Sequence, residues 1–322
     1  MAAVWDATDL HLMDLRQVRA DLLEPLLEEE VDQWRQRLHW DFRPSAELVR
    51  RFVAMHALNG YSLVDGIHPI GYSYYVCEER KGFIGDLFIR EAYRSLENET
   101  RLLGAVLNHL LTNGFTRRVE AQLMMLQNHP SSALPSSAYL STFERDFMSL
   151  ELAAPFQLPP GPASSWIRLE PWMDYRQEEA AYLIAAAYKG HIDGEINDQY
   201  RSVAGARRFL LNIIQYPGCG SFFQPASFLA IDTRTNRSCG LCLASLVASD
   251  IGHITQICVS PEVKGQGVGY ELLRRSLLAL YEAHCREATL TVTSSNEKAS
   301  RLYREVGFQT MRRFAACVWE GF

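Results

Sequence analysis

The chain has 322 residues, which is more than one hydrophobic core usually serves, so we expect two domains of about 150 residues each. Hydrophobic residues make up 48% and charged residues 22% of the sequence, which argues against long disordered regions. The net charge is -6 and no run of Lys or Arg exceeds a pair, so the basic surface that binds nucleic acid is excluded.

The N-terminal sequence lacks the charged start and the apolar run of a secretory signal, so we expect a cytoplasmic protein. The apolar run at 180–188 is about half the length of a membrane span, and no span is expected. Seven cysteines, an odd number, favour reduced thiols over a disulfide framework. Cys239 and Cys242 have CxxC spacing without a second ligand pair, so we interpret them as buried strand thiols and expect no metal.

The first half contains a strand-like run at 82–89, then a polar loop, an amphipathic helix at 102–114 and a strand at 119–126. The same order returns at an offset of 170 residues, with strands at 252–259 and 288–295 around a helix at 270–284. An asparagine, Asn128 or Asn296, follows each last strand. The pattern predicts a duplicated α/β unit. Each unit would have a mixed sheet with parallel and antiparallel strands, as in α+β folds.

Residues 153–165 carry four prolines, no charge and no apolar periodicity. This composition predicts an extended linker and places domains at 1–155 and 165–322. Near the end of the chain, Ser294 and Glu297 have the spacing of a capping box, and Gly307 offers a stop signal. These signals predict a short helix that begins near Ser294 and ends at Gly307.

The strongest local signal is the sequence VSPEVKGQGVGYELL, a strand followed by three alternate glycines and a helix start. Alternate glycines let successive N–H groups turn toward one point, and the helix N-terminus adds partial positive charge, so the loop fits a pyrophosphate. A P-loop would need GK[ST] after the last glycine, but Tyr270 and Glu271 follow Gly269. A dinucleotide fingerprint would need a third glycine where Tyr270 stands. A glycine-rich turn without a ligand is the remaining alternative.

Two motifs resemble the GNAT superfamily of acyl-CoA-dependent N-acyltransferases. The first is CVSPEVKGQGVG, in which Lys264 stands where the family usually has Arg or Gln. The second consists of an asparagine, a helix with a tyrosine, and Gly-Phe; here these residues are Asn296, Ala299, Leu302, Tyr303, Gly307 and Phe308. The resemblance implies two tandem GNAT-like domains and transfer of an acyl group, most simply acetyl from acetyl-CoA or another short acyl-CoA, to a primary amine.

The resemblance also implies which residues bind the cofactor. The main chain around Ile257 and Val259 would bind the pantetheine arm, and the glycine loop would bind the pyrophosphate. The full set is Ile257, Cys258, Val259, Lys264, Gly265, Gln266, Gly267, Val268, Gly269, Tyr270 and Asn296.

Tyr303 is the expected general acid for the departing thiolate, and a tyrosine that only packs in the core is the alternative. His253 is the expected base, because alternation places it on one strand face with Thr255, Ile257 and Val259 and because histidine titrates near neutral pH. A histidine that is only packed is the alternative there.

The acceptor amine is expected at the polar segment 187–202. Its acidic and aromatic side chains could attract a cation; they are Asp193, Glu195, Asp198 and Tyr200. A solvated helix connection explains the same residues. His191 and Asp193 have HxD spacing, but no further ligand cluster indicates a metal.

The first half lacks the glycine loop, and the equivalent stretch reads EAYRSLENETRLLG. Phe83 stands at the position of His253, and Pro135 lies near that of Tyr303. We therefore predict a degenerate first domain that serves packing, substrate enclosure or dimerisation, and one CoA per chain. The rival to an enzyme is a non-catalytic acyl-CoA sensor or scaffold.

Overall fold

The structure is a computed structural model that describes residues 10–126, 136–216 and 218–322. It forms two compact units. Unit 1 comprises residues up to Glu144 together with Phe314–Phe322, and unit 2 comprises Arg145–Arg313. Asn128 and Pro135, which the repeat comparison singled out, lie outside the described residues.

The strands are β1 (Leu10–Asp14), β2 (Gly60–Asp65), β3 (His68–Glu78), β4 (Lys81–Ile89), β5 (Arg118–Gln122), β6 (Leu140–Glu151), β7 (Ile167–Pro171), β8 (Ser221–Phe222), β9 (Phe228–Asp232), β10 (Arg237–Ala248), β11 (Ile251–Val259), β12 (Glu287–Thr293) and β13 (Gln309–Glu320). The helices are α1 (Ala20–Leu38), α2 (Arg43–Ala54), α3 (Leu96–Thr112), α4 (Gln177–Ala187), α5 (Asp193–Ile196), α6 (Val203–Gln215), α7 (Val268–Glu282) and α8 (Glu297–Val306). None of the helices in these described ranges is long and apolar enough to cross a membrane.

Unit 1 is built on strands β1 to β5 in sequence order, with the end of β13 paired antiparallel to β5. The apolar side chains of α3 pack on this sheet; they are Leu102, Leu103, Val106, Leu107 and Leu110. Their spacing of three and four residues places them on one helix face, which explains why this helix could be predicted from the sequence.

Unit 2 has a mixed sheet in the order β6, β12, β11, β10, β9 and β7. Helix α7 packs on one face of this sheet, and α4 and α6 pack on the other. β11 and β12 are parallel, as a strand–helix–strand crossover requires, while the other pairs are antiparallel. The predicted mixed α/β sheet is therefore confirmed.

A parallel strand pair separates halfway along its length in each unit. β4 pairs with β5 only over Lys81–Ile84, and β11 pairs with β12 only over Ile251–Ile254. The two paired stretches begin 170 residues apart, which is the offset of the sequence repeat. Within the described ranges, each strand beyond Ile84 or Ile254 has a ladder partner on one edge only. Each unit thus has a splayed edge at the carboxyl end of the equivalent strand.

The unit boundary lies at Glu144/Arg145, ahead of the proline-rich segment at 153–165, and Phe314–Phe322 belong to unit 1. The reason is strand pairing: Arg145–Glu151 pair with β12, and Ala316–Glu320 pair with β5. The sequence-based division at 155 and 165 follows composition alone. Composition marks the prolines but carries no information about which strands pair.

The proline-rich segment is a packed part of unit 2. The Tyr270 hydroxyl donates to the Pro159 carbonyl oxygen at 2.7 Å, and the Gly161 N–H donates to the carboxylate of Glu271. Phe156 contacts the ring of Tyr281 with centroids 5.8 Å apart. The segment therefore runs along α7 as a strap, and it is not the free linker that its composition suggests.

Two buried carboxyl groups fill the splayed edge of unit 1. Asp86 Oδ1 accepts the N–H of Leu87 at 2.7 Å, and the Tyr72 hydroxyl donates to Glu30 at 2.7 Å. Burial raises the pKa of both Glu30 and Asp86, and the proximity of Asp86 raises that of Glu30 further. The pair therefore retains a proton at pH values where exposed carboxyls are ionised.

This pair should make unit 1 less stable at higher pH. A raised folded-state pKa contributes stability below the unfolded value, and that contribution is lost as pH rises through the folded value. We expect the Tm of wild type to fall between pH 5 and pH 8, and Glu30→Gln to reduce that fall. Calorimetry measures it, since 1 kcal/mol shifts Tm by about 2–4 °C for a domain of this size.

Glu28→Gln is the matched control, because Glu28 lies exposed on the same helix. It should leave the pH dependence of Tm at the wild-type value. A Glu30→Gln protein whose Tm falls as much as that of wild type would contradict this assignment.

Candidate functional site

The splayed edge of β11 forms one side of the candidate site. Its residues beyond Ile254 pair with β10 and have no ladder partner on the β12 side among the described residues. The Ile257 carbonyl oxygen accepts a long hydrogen bond of 3.4 Å from the Tyr188 hydroxyl, which also accepts from Gln256 Nε2 at 3.1 Å. Apart from this Ile257 carbonyl oxygen, the main-chain groups that face away from β10 have no partner in the sheet as described and are available to a ligand that lies along the strand.

A β-bulge at Thr255 reverses the side-chain alternation of β11. Ala244 pairs with Ile254 while Leu243 pairs with Gln256, so Thr255 is the extra residue. Before the bulge Ile254 packs toward α7; after it, Ile257 and Val259 pack toward α7 while Cys258 packs toward α4. His253 therefore lies on the face opposite to Ile257 and Val259, whereas strict alternation predicts one shared face.

The glycine loop joins β11 to α7 through two residues in the left-handed region. Gly265 has φ +80° and Gly267 has φ +87°, and Gly267 is the N-cap of α7. A Cβ on Gly267 would lie 3.0 Å from Pro162 of the strap, whereas one on Gly265 would meet open space. The first N–H groups of α7 have no partner within the helix, because no helical carbonyl precedes them. They point away from the helix start, next to these glycines. This geometry suits an anionic group.

Side chains around the loop take specific partners. Lys264 Nζ donates to the Ala187 carbonyl oxygen at 3.1 Å, so its charge lies at the end of α4. The Gln266 N–H is bonded to the Val263 carbonyl oxygen at 3.3 Å. The N–H groups of Gly265, Gly267 and Val268 are therefore better placed for a ligand than that of Gln266.

Helix α8 begins at Asn296 and carries Tyr303 into the core of unit 2. Asn296 is the N-cap and accepts the Ala299 N–H at 3.4 Å, so it takes the place predicted for Ser294. Gly307 ends the helix with φ +112°, as its sequence signal predicted. Tyr303 is 6% exposed and lies edge-on to Phe308 with ring centroids 6.0 Å apart.

Burial raises the pKa of Tyr303 above its usual range, and the nearby thiol of Cys242 and carboxylate of Asp193 raise it further. The positive charge of Arg145 opposes this shift. The phenol therefore stays protonated at neutral pH, which is the form that a proton donor needs.

A polar cluster of His191, Asp193, Thr293 and Asn296 lies beside α8. His191 Nε2 is 3.4 Å from Asn296 Nδ2, and His191 Nδ1 is 3.5 Å from Asp193 Oδ2. The Thr293 hydroxyl donates to Asp193 Oδ1. The cluster joins the segment after α4 to the end of β12 and the start of α8.

Comparison with known proteins identifies this arrangement. Residues 151–308 match the model of the acetyltransferase (GNAT) family. An N-alpha-acetyltransferase MAK3 of Arabidopsis thaliana is 36% identical over 62 residues, which cover 19% of this chain and 33% of that protein. A mycothiol acetyltransferase of Acidimicrobium ferrooxidans is 34% identical over 103 residues, 31% of this chain and 33% of that protein. The chain thus spans about a third of the length of these curated relatives.

Residues 151–308 belong to the GNAT family. The fold of the whole chain is similar to that of a GCN5-related N-acetyltransferase from Sphaerobacter thermophilus, with a TM-score of 0.65 and 18% identity, covering 97% of this chain and 95% of that one. A tandem GNAT protein from the clavulanic acid biosynthesis pathway gives a TM-score of 0.58 at 14% identity and covers 97% and 98%. The predicted tandem GNAT fold is confirmed.

Within this GNAT domain the four predicted acceptor residues separate into two groups. Asp193 lies in the polar cluster, and Tyr200 stacks on Tyr188 with centroids 4.5 Å apart. Glu195 instead forms an ion pair with Arg201 at 2.7 Å, and Asp198 begins a short 3-10 turn. The first group faces the site, whereas the ion pair involving Glu195 is on the exposed surface.

His253 is buried between strands of the GNAT domain. Its Nδ1 lies 2.9 Å from the Thr289 hydroxyl, and its ring stacks on Phe147 with centroids 6.0 Å apart. Burial lowers the pKa of His253 to about 3, and the positive charge of Arg145 contributes. A protonated imidazole is therefore strongly disfavoured there. The base role of His253 stays a prediction, and its environment weighs against it.

Cys239 and Cys242 lie buried in β10, where burial raises their thiol pKa values to about 11 and about 12. Both thiols are therefore uncharged at neutral pH. Across the described ranges no group of three or more His, Cys, Asp or Glu side chains is arranged to hold a metal ion.

Four residues of the site were not predicted from the sequence. Tyr188, Gln256 and Thr293 are polar, but their types carry no motif, and their contacts span up to 100 residues of sequence. His191 was noted only for its HxD spacing with Asp193. Its proximity to Asn296, 105 residues later, depends on the fold.

Proposed function

We propose that the protein is an N-acetyltransferase that moves an acetyl group from acetyl-CoA to a primary amine by direct attack in a ternary complex. The observation that carries the proposal is the splayed edge of β11, which leads directly into the Gly265–Gly269 loop at the start of α7. The relatives named as acetyltransferases support the same reaction class. The free state of all seven cysteines is consistent with a reducing, cytoplasmic setting.

The residues present fit CoA as co-substrate. Main-chain groups of Ile257–Val259 would bind the pantetheine arm along the unpaired strand edge, and Asn296 lies at the start of α8 nearby. N–H groups of Gly265 and of residues 267–270 would bind the pyrophosphate. Lys264 donates to a carbonyl oxygen at the end of α4, so it would attract the pyrophosphate at long range and would not hydrogen-bond it directly. Bound acetyl-CoA supplies the activated thioester carbonyl.

The reaction forms one N–C bond and breaks one C–S bond. As the amine attacks, negative charge develops on the carbonyl oxygen, and a backbone N–H near Val259 would stabilise it. The CoA thiolate then leaves and takes the proton of the Tyr303 hydroxyl, which solvent later restores. The ammonium form of the amine loses two protons in total, one to a base before the attack and one to solvent as the amide forms, and the second balances the proton that Tyr303 regains. No covalent enzyme intermediate is needed.

A non-catalytic acyl-CoA sensor is the second candidate. The observation that favours it is the burial of His253, because the predicted base would then be missing. A sensor would bind acetyl-CoA without releasing thiol in the presence of amines. A homodimer also stays a prediction.

Thiol release from acetyl-CoA with an amine library, together with calorimetry, tests the proposal. We expect amine-dependent thiol release and one CoA per chain, because unit 1 has no glycine loop and Asp86 occupies the Leu87 N–H at its splayed edge. Binding without thiol release would favour the sensor. A stoichiometry of two would contradict the predicted loss of binding in unit 1.

Gly267→Ala should weaken CoA binding about tenfold, because a left-handed alanine costs about 1–2 kcal/mol and the loop must move away from Pro162. Calorimetry measures the Kd. Gly114→Ala is the control, since Gly114 has φ +74° in open space within unit 1. It should lower stability by a similar amount and leave the Kd unchanged. Equal Kd values for both variants and wild type would exclude Gly267 from the binding loop.

Tyr303→Phe should lower kcat by about 10²–10⁴-fold, because the departing thiolate loses its proton donor. The Kd for CoA should stay within about threefold of wild type. Tyr281→Phe is the matched control, because Tyr281 packs against the same core without lying at the site. If Tyr303→Phe retains the turnover of Tyr281→Phe, the hydroxyl has no part in the chemistry.

A further inference from the structure

We propose that His191, oriented by Asp193, is the base that accepts the proton of the acceptor amine. The inference rests on the proposed function and assigns the step that the environment of His253 leaves open. The supporting observation is the polar cluster at the start of α8, where the His191 imidazole, the Asp193 carboxylate and the N-cap Asn296 lie together.

The contacts of His191 define its two nitrogens. Asn296 Oδ1 is engaged by the Ala299 N–H, so Asn296 Nδ2 faces His191 and can donate to Nε2, 3.4 Å away. Nε2 is then the acceptor nitrogen on the side of α8, the helix that carries Tyr303. An incoming amine that replaces this long contact would meet the lone pair of Nε2.

Asp193 lies next to Nδ1, the second ring nitrogen of His191. Its Oδ2 lies 3.5 Å from His191 Nδ1, and its Oδ1 is fixed by the Thr293 hydroxyl. The Asp193 N–H donates to Nδ1 at 3.2 Å when the neutral ring carries its proton on Nε2. The base form is the other tautomer, with the proton on Nδ1 and the lone pair on Nε2, and once Nε2 gains a proton both nitrogens are donors. The carboxylate then stabilises the imidazolium, as an orienting acid does in other histidine bases.

Exposure separates His191 from His253. The His191 side chain is 26% exposed, so it can pass a proton to solvent after each turnover. Its ring lies edge-on to Tyr188, with centroids 5.3 Å apart, which limits its rotation. His253 is 7% exposed and stacked on Phe147, without such a route.

The charges around the cluster come from several elements. Asp193 on α5 is the anion beside the ring, with its Oδ2 3.5 Å from His191 Nδ1. Tyr188, Tyr200 and Tyr303 stay neutral, because burial raises the pKa of each. Arg145 on β6 acts on Tyr200 and Tyr303 and opposes a further positive charge.

Two protons leave the acceptor nitrogen in this assignment. The ammonium form gives the first to His191 Nε2, and the amine nitrogen then forms the N–C bond. As the C–S bond breaks, the Tyr303 hydroxyl protonates the departing thiolate, and the second nitrogen proton passes through solvent to the Tyr303 phenolate. His191 returns its proton to water, so each turnover releases one proton and no further reactant is required.

Log kcat against pH for His191→Gln and His253→Gln, with acetyl-CoA and the best amine of the library, tests the proposal. We expect His191→Gln to lose about 10²-fold or more in kcat and to lose the acidic limb of the profile, with CoA affinity within about threefold of wild type. His253→Gln should keep the acidic limb. A His191→Gln enzyme that retains the wild-type limb and rate would overturn the proposal.

A second measurement stands apart from turnover. The 15N chemical shifts of the two ring nitrogens are compared by NMR at neutral pH in wild type and Asp193→Asn, and the signals lost in His191→Gln assign His191. We expect the ring proton of wild type to lie on Nδ1, facing the carboxylate, and to move toward Nε2 in Asp193→Asn, because the hydrogen bond of one ring nitrogen decides which nitrogen carries the proton. Identical ring shifts in the two proteins overturn the orienting pair. Wild-type protein that binds CoA but releases no thiol with any amine would refute the proposed function, and the ring shifts then decide the pair alone.

Discussion

The separation of two parallel strands after Ile254 and Leu290 is the constraint on which the site depends. A strand inside a sheet satisfies its N–H and C=O groups on both edges, whereas β11 beyond this point has a ladder partner on one edge only within the described part of the chain. Its groups without a ladder partner lie next to the glycine loop and the start of α7, where the first N–H groups have no partner within the helix. The strand edge and, after a turn whose own N–H groups are bonded within the protein, Gly265, Gly267 and the helix start offer main-chain groups to the long anionic cofactor that we propose.

The two units share this separation and differ in what fills it. At the same offset of 170 residues, unit 1 has Asp86 and unit 2 has Gln256. Asp86 accepts the N–H of its neighbour Leu87, while Gln256 donates to the Tyr188 hydroxyl. Asp86 thus accepts a main-chain N–H at the strand edge of unit 1, whereas Gln256 accepts none among the described residues at the edge of unit 2 and leaves it available to a ligand. A difference of one residue type thus accompanies the difference between a filled and an available edge.

Sequence reasoning located the parts of the site that local rules determine. The glycine loop follows from φ values that only glycine adopts readily, and α8 follows from the capping spacing before it and its end at Gly307. The bulge at Thr255 was not predictable, because it depends on the pairing of β10 with β11, and it changes the face on which His253 lies. The contact between His191 and Asn296 likewise needs the folded chain.

The domain boundary shows the same limit. The prolines at 153–165 predicted an extended linker between the domains, yet Tyr270 and Glu271 of α7 bind the backbone of this segment. Strand pairing then assigns residues 145–151 to unit 2 and residues 314–322 to unit 1. Composition describes a segment alone, whereas pairing depends on distant partners, so fold class was predictable and the assignment of terminal strands was not.

Amide hydrogen exchange with and without CoA tests the central claim most directly, because it reports on individual main-chain N–H groups. The account predicts that CoA slows exchange in residues 257–270 and at the start of α8, with no change in residues 84–95 of unit 1. Unchanged exchange in 257–270 at saturating CoA, or protection located in unit 1, would contradict it.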